Sequence, residues 1–310
     1  MIQPPPINQS MTSREWGLIL LLSVLWGGSF YFVAVALRGF PPVTLIVLRI
    51  AIAMLLLLCL LRAMGQKLPR DPRLWRDFLI MGAFNNLIPF ALLATAQTRI
   101  GGGLASIVNS PMPLWTALIA HAFTRDERLT GRRLTGVIVG VSGVAMMIGV
   151  DALQTIGADV LPQLACVAAA MCYAIASVFG RRFRASGLTP VVATTGTATA
   201  ATLMGVPTAL ILEQPWTLPA PGADAIWAIV AISVFSTTAG YLIYYRLLAS
   251  AGAMNASLVT FLVPVSAILC GVLLLGETLA LQHIAGMLTI FAGLALIDGR
   301  IARLMRARLR

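Results

Sequence analysis

Charge is what this sequence has least of. Only 11% of the 310 residues are Asp, Glu, Lys or Arg, and 59% are apolar. A soluble domain carries about a quarter charged residues, so the deficit excludes an ordinary water-solvated globule. Acids are the scarcer sign, eleven against twenty-two bases. None lies deep in an apolar segment, because Asp77, Asp224, Glu277 and Asp298 all fall near segment ends. Proton-coupled membrane proteins normally carry an intramembrane carboxylate or histidine relay. Its absence argues for weak or unusual coupling. The histidines number two, and only His121 falls inside an apolar segment, near its end, where it is a candidate proton carrier. Two histidines and four cysteines without ligand spacing build no metal site, and no cofactor is expected. Cys59, Cys166, Cys172 and Cys270 sit in apolar stretches and read as small buried residues. There is no phosphate-binding P-loop, so ATP is not the energy source, and no titratable cluster suits an intramembrane enzyme.

What is abundant is apolar sequence in long runs. A spanning helix needs about 20 apolar residues. Ten segments meet that requirement: 17–37, 43–61, 75–95, 101–122, 131–150, 160–180, 190–212, 225–245, 253–275 and 279–298. Pro41-Pro42, Pro69, Pro72, Pro190, Pro215, Pro219 and Pro221 fall at or between their ends and mark their limits. The predicted fold is an all-α membrane protein.

Lys and Arg set the orientation. With the N-terminus in the cytoplasm, the inside segments hold nineteen of the twenty-two, from Arg14 to the five arginines of the tail. Arg38 and Arg99 alone fall outside, and Arg49 lies within a helix. The positive-inside bias places both termini in the cytoplasm. It accounts for the net charge of +11 without nucleic acid, and the tail suits an anionic lipid surface.

One string occurs twice. Ala105-Ser106 and Pro113 fall on Ala256-Ser257 and Pro264 at an offset of 151, and Glu127, Leu129, Gly136 and Gly143 fall on Glu277, Leu279, Gly286 and Gly293 at 150. Self-similarity at this length means duplication. The expected organisation is a cytoplasmic segment 1–16, a first repeat 17–150, a second repeat 151–299 and a basic tail 300–310. Each repeat holds five helices, an odd number, so the two cross the membrane in opposite senses. Such inverted repeats are the architecture of many secondary transporters.

The motifs also resemble a family. They are Leu25-Trp26-Gly27-Gly28-Ser29-Phe30, Leu48-Arg49, Ala105-Ser106 with Pro113 and Glu127-Arg128-Leu129, and Ala256-Ser257 with Pro264 and Gly276-Glu277-Thr278-Leu279. In their order and duplication they resemble the EamA family of the drug/metabolite transporter superfamily, over nearly the whole chain, and within it the bacterial inner-membrane amino-acid exporters. The first copy departs in reading Arg125-Asp126-Glu127 where Gly-Glu is usual.

Candidate binding residues follow from polar groups at membrane depth. Proline lacks an N–H, so Pro113 frees the carbonyl of Asn109, Pro111 that of Ile107, Pro264 that of Thr260 and Pro89 that of Asn85. In hydrocarbon such groups need a partner from protein, water or ligand. The reading is a polar patch flanked by flexible kinks at Pro111, Pro113 and Pro264; the alternative is kinks satisfied by Ser and Thr neighbours. The pair at 113 and 264 is expected to face across a cavity. Asn85-Asn86 places two amides in the third helix, on the face of Pro89, where an unpaired amide costs about 1–3 kcal/mol. They suit a polar neutral or zwitterionic solute, or bond neighbouring helices. Trp26, Trp115, Tyr173 with Ser177, and Thr237 with Tyr241 supply aromatic and hydroxyl groups that suit an apolar side chain with a polar end. Thr260 and Phe261 complete the set. Arg49 lies about 9 Å inside its helix at 1.5 Å per residue. It could attract a carboxylate, snorkel outward or cap helix ends, and a structural role is the expectation. Gly136, Gly140, Gly143, Gly286 and Gly293 suit close helix packing, as scaffold or subunit contact.

The expected function is non-ATP export of small neutral or zwitterionic metabolites, amino acids including aromatic ones foremost, by alternating access. The partners are a small-molecule substrate and the lipid bilayer, as a monomer or weak homodimer in a bacterial inner membrane. The alternatives are export of nucleosides or amphipathic drugs, and a passive channel.

Overall fold

A computed structural model describes residues 12–123, 131–148, 160–180, 182–183, 186–250 and 259–298. Most of the segment 1–16, the tail 300–310, Ala256-Ser257 and Arg125-Asp126-Glu127 lie outside the described residues. Among the described residues the structure is helical and contains no strand.

Helix α1 (Ser13–Ala36) begins four residues before the expected 17, because Thr12 and Glu15 form a capping box. The Glu15 amide donates to Thr12 Oγ1 at 3.3 Å, and the Thr12 amide donates to Glu15 Oε2 at 2.8 Å. Helix α2 (Pro42–Ala63) starts with proline at its first position, where the missing N–H is not needed. The third span is α3 (Pro72–Gly82) and α4 (Ile88–Gln97), joined without a break by a π-helical turn at Ala83–Leu87.

The fourth expected span is two helices, α5 (Gly102–Asn109) and α6 (Met112–Phe123), parted at Ser110-Pro111. Ile107 O, which Pro111 deprives of its helical donor, accepts from the Ser110 amide at 3.0 Å and from Ser110 Oγ at 2.7 Å. Then follow α7 (Gly131–Ile148), α8 (Val160–Phe179) and α9 (Pro190–Leu212). The next span is α10 (Ala223–Ala231) and α11 (Gly240–Ser250), joined by a second π-helical stretch at Ile232–Ala239. Helices α12 (Val259–Leu275) and α13 (Leu281–Asp298) end the described chain.

Among the described residues seven helices are long and apolar enough to cross a membrane, and Leu134–Met146, Leu262–Leu275 and Leu281–Leu296 are shorter apolar helices at the remaining expected positions. Side chains such as Leu273 and Ile211, about three-quarters exposed at 75% and 73%, cover the periphery. In a soluble protein these would be costly; here they are the lipid-facing surface of a multi-pass membrane protein.

Lipid gives helices little hydrophobic reason to associate, so close packing of small residues carries the load. A Cβ added to Gly293 would lie 2.6 Å from Gly136 O and from the Gly140 amide nitrogen, and one on Gly143 would lie 2.8 Å from Gly286 O. Helices α7 and α13 therefore touch backbone to backbone, and their glycines are spent on each other. Helix α1 packs on α12, α2 on α9, α4 on α8, and α5 on α12. A Cβ on Gly27 would meet Val263 O at 2.8 Å, and Ser266 Oγ donates to Ser23 O at 2.6 Å across the same contact.

Candidate functional site

The site grows from the two π-helical stretches. A π turn holds one residue more than an α turn and is found disproportionately at functional sites. In the third span Pro89 cannot donate, so Asn85 O loses its α-helical partner, and the chain widens just before it: the Ile88 amide donates to Ala83 O, five residues back. In the eighth span the wide winding is marked by hydroxyls that also reach five residues back. Thr237 Oγ1 donates to Ile232 O at 3.2 Å and Thr238 Oγ1 to Ser233 O at 2.9 Å. The stretches lie about one repeat offset apart, since 83 plus 150 is 233.

Both stretches turn their side chains toward one small cavity. Asn85, Asn86, Thr237 and Tyr241 line it, together with Ile50 and Ala53 of α2 and Thr194 and Thr197 of α9. Its volume is about 40 Å³, room for a few waters on a scale where one needs about 10–15 Å³. Asn85 Nδ2 donates to Tyr241 OH at 3.3 Å, joining the third span to the eighth.

Aromatic side chains close around this pair. Trp26 meets Tyr241 edge-on at 6.3 Å between ring centroids and Tyr244 at 5.5 Å. Its indole N–H donates to Ser236 O at 3.1 Å, and the ring lies against Gly240, where a Cβ would fall 2.6 Å from Nε1. Tyr173 packs against Phe90 at 6.3 Å.

Arg49 is 7% exposed and joined to this cluster, though it is not among the residues that line the cavity. Its Nε donates to Thr237 Oγ1 at 2.9 Å, and its Cζ lies 3.9 Å from the centroid of the Phe90 ring. It neither snorkels outward nor caps a helix. The one ion pair among the described residues is Arg76–Asp77 at 3.4 Å, far from it in the chain.

The structure thus brings together Trp26, Arg49, Asn85, Asn86, Tyr173, Thr237 and Tyr241. Pro89 is buried at the start of α4, behind the Asn pair. Other candidates lie elsewhere. Ser177 is exposed, and His121 is exposed in the last turn of α6. Asn109, Trp115, Thr260 and Pro264 do not line the cavity, and Pro264 lies buried within the continuous helix α12. The Phe261 side chain is outside the described set. Around the break at Ser110-Pro111, Asn109 Oδ1 and Trp115 Nε1 are buried without a hydrogen-bond partner. Pro113 is the second residue of α6.

The sequence reading expected α9 as the segment 190–212 but did not place it at the cavity. Its threonines donate to carbonyls four residues back, Thr194 to Pro190 O at 2.9 Å and Thr197 to Ala193 O at 2.7 Å. The available signal was the run Thr194-Thr195-Gly196-Thr197. It also missed two carboxylates that cap distant helices. Glu277 Oε1 and Oε2 accept from the Gly102 and Gly103 amides at 2.7 and 2.9 Å, closing the N-terminus of α5. Glu213 accepts from the Val43 and Thr44 amides at 2.9 and 2.6 Å, closing that of α2. Acids at helix N-termini satisfy orphan amides and oppose the helix dipole favourably.

The profile of the EamA-like transporter family matches residues 15–149 and again residues 161–298. The chain belongs to this family. Both matched stretches of the EamA-like chain carry one of the π-helical segments. Among similar proteins is an uncharacterized transporter of Archaeoglobus fulgidus, 28% identical over 92% of this chain and 98% of its own length. Another is a protein of Escherichia coli named a probable amino-acid metabolite efflux pump, 27% identical over 92% of this chain and 94% of its own. A solved crystal structure matches with a TM-score of 0.64 over 93% of this chain and 98% of that one, at 19% identity, which concerns the fold.

Proposed function

We propose that this EamA-like transporter is a secondary exporter of small neutral or zwitterionic metabolites, amino acids including aromatic ones foremost, working by alternating access of two inverted five-helix repeats. The observation that carries the reading is the convergence of two π-helical stretches, one from each family match, on one cavity, with Asn85 bonded to Tyr241 across it. The efflux pump of Escherichia coli supports the substrate class.

In this reading ten helices cross the inner membrane with both termini cytoplasmic. The Glu277 and Glu213 caps then lie at the external face, and the cavity, which reaches Leu57, Met81 and Phe183, lies toward the cytoplasm. A space of about 40 Å³ holds no amino acid, so a substrate enters only when the surrounding helices separate. This supports a carrier over a standing channel. The test is flux of labelled Phe, Trp, Thr and Met into proteoliposomes. Flux no faster than into empty vesicles across the panel would remove the substrate assignment.

A further inference from the structure

We infer that Arg49 holds a carboxylate of the transported solute, so that the substrates are carboxylate-bearing metabolites, and amino acids are recognised through their acid group. This deepens, and rests on, the transporter reading above.

The guanidinium has five N–H donors in a planar fork. Here only Nε is used, on Thr237 Oγ1, and Thr237 has already given its own proton to Ile232 O. Neither Nη donates to any described residue, and no described carboxylate lies within ion-pair distance. A buried cation left without a counter-charge is costly. An arginine kept for structure uses its fork on helix-end carbonyls or a buried acid. This one leaves the fork open.

The surroundings fix how a partner approaches. Phe90 covers one face of the guanidinium plane at 3.9 Å. Approach is therefore along the edge, the geometry in which carboxylates make paired hydrogen bonds with arginine. Arg49 does not itself line the cavity, but Thr237, which holds its Nε, does, together with Tyr241, so the guanidinium lies one side chain behind the cavity wall. That wall is neutral: the amides Asn85 and Asn86, the hydroxyls Thr194, Thr197, Thr237 and Tyr241, and apolar side chains. Such a wall accommodates an ammonium group but offers no charge to select it. The acid end of a solute, not the amine end, is what the site discriminates.

The test uses wild-type protein, so folding of a variant is not at issue. Binding is measured calorimetrically on purified protein for phenylalanine, 3-phenylpropionate, phenylalaninamide and phenethylamine, and for threonine and threoninamide. Removing one partner of a buried charge pair is severe, so the amides and the amine are expected to bind at least about tenfold more weakly than the acids. Amides and amine within about twofold of the acids overturn the inference, as does failure of every acid to bind. Arg49→Gln is expected to abolish the preference and Arg49→Lys to restore part of it, since lysine keeps the charge without the fork. Proteoliposome flux of phenylalanine separates the two readings. Acid-selective binding without flux keeps the carboxylate site and removes the transporter. Flux with indifferent binding of acids and amides does the reverse.

Discussion

Asn85 donates to the Tyr241 hydroxyl at 3.3 Å, across 156 positions of chain. The bond is long and neutral, so its net worth is about 1 kcal/mol or less. Tyr241→Phe removes the hydroxyl and keeps the ring contact with Trp26. It is expected to cost about 1 kcal/mol or less in stability while weakening substrate affinity measurably. A double-mutant cycle with Asn85→Ala in a binding assay checks it: additive losses would show that the two residues do not act on the substrate together.

The Glu277 cap is worth more than its exposure suggests, because one carboxylate serves the Gly102 and Gly103 amides. Glu277→Ala is expected to destabilise by about 0.5–2 kcal/mol, the range for losing an N-cap, and to speed hydrogen exchange at the first amides of α5. Glu277→Gln retains one acceptor and is expected to fall between. Unchanged exchange at Gly102 and Gly103 in the alanine variant would contradict the cap.

Gly293→Leu is expected to break the backbone contact of α7 with α13, since its Cβ alone would fall 2.6 Å from Gly136 O. Overpacking of this kind costs about 1–3 kcal/mol or more. Gly17→Leu is the control, because nothing lies within 4 Å of a Cβ there. Thermal melting of the two variants in one detergent is the measurement, with a clear drop for Gly293→Leu alone.

The orientation is open to direct labelling. On a cysteine-free background, Gln214→Cys is expected to react with a membrane-impermeant maleimide in intact cells. Gln66→Cys is expected to react only after permeabilisation. The opposite pattern would invert the assigned topology.

Much of the fold was legible because lipid imposes few solutions. Apolar length located the described helices, apart from the break at Ser110-Pro111, and Pro41-Pro42 marked the start of α2 to within one residue of the expected 43. The Asn85-Asn86-Pro89 cluster was legible as a polar site, since amides and a freed carbonyl at membrane depth are costly unless something polar meets them. The widening of the helix before Pro89 was not: a proline that frees a carbonyl is compatible with a kink, a break or a π turn. At Pro111 the chain breaks, and at Pro89 it widens without breaking. Thr194 and Thr197 stood out as a threonine run, but which way they face was not legible, for another reason. A threonine that satisfies itself on its own helix reads the same facing lipid or cavity. Arg49 was visible in the sequence, but not that its Nε alone donates among the described residues.

The two acid caps have a joint consequence. Glu213 and Glu277 belong to the second family match, and the amides they grip belong to the first. At one end of the α2–α9 pair, Glu213 makes two charge-assisted bonds to α2. At the other, the described residues offer one exposed neutral bond, Thr189 Oγ1 to Gln66 Oε1 at 2.7 Å. Charged hydrogen bonds are roughly twice as strong as neutral ones. Each of these two acids thus ties a helix start of the first match to the second, so that parting the α2–α9 pair at the Glu213 end breaks two charged bonds where parting it at the Thr189 end breaks one neutral one.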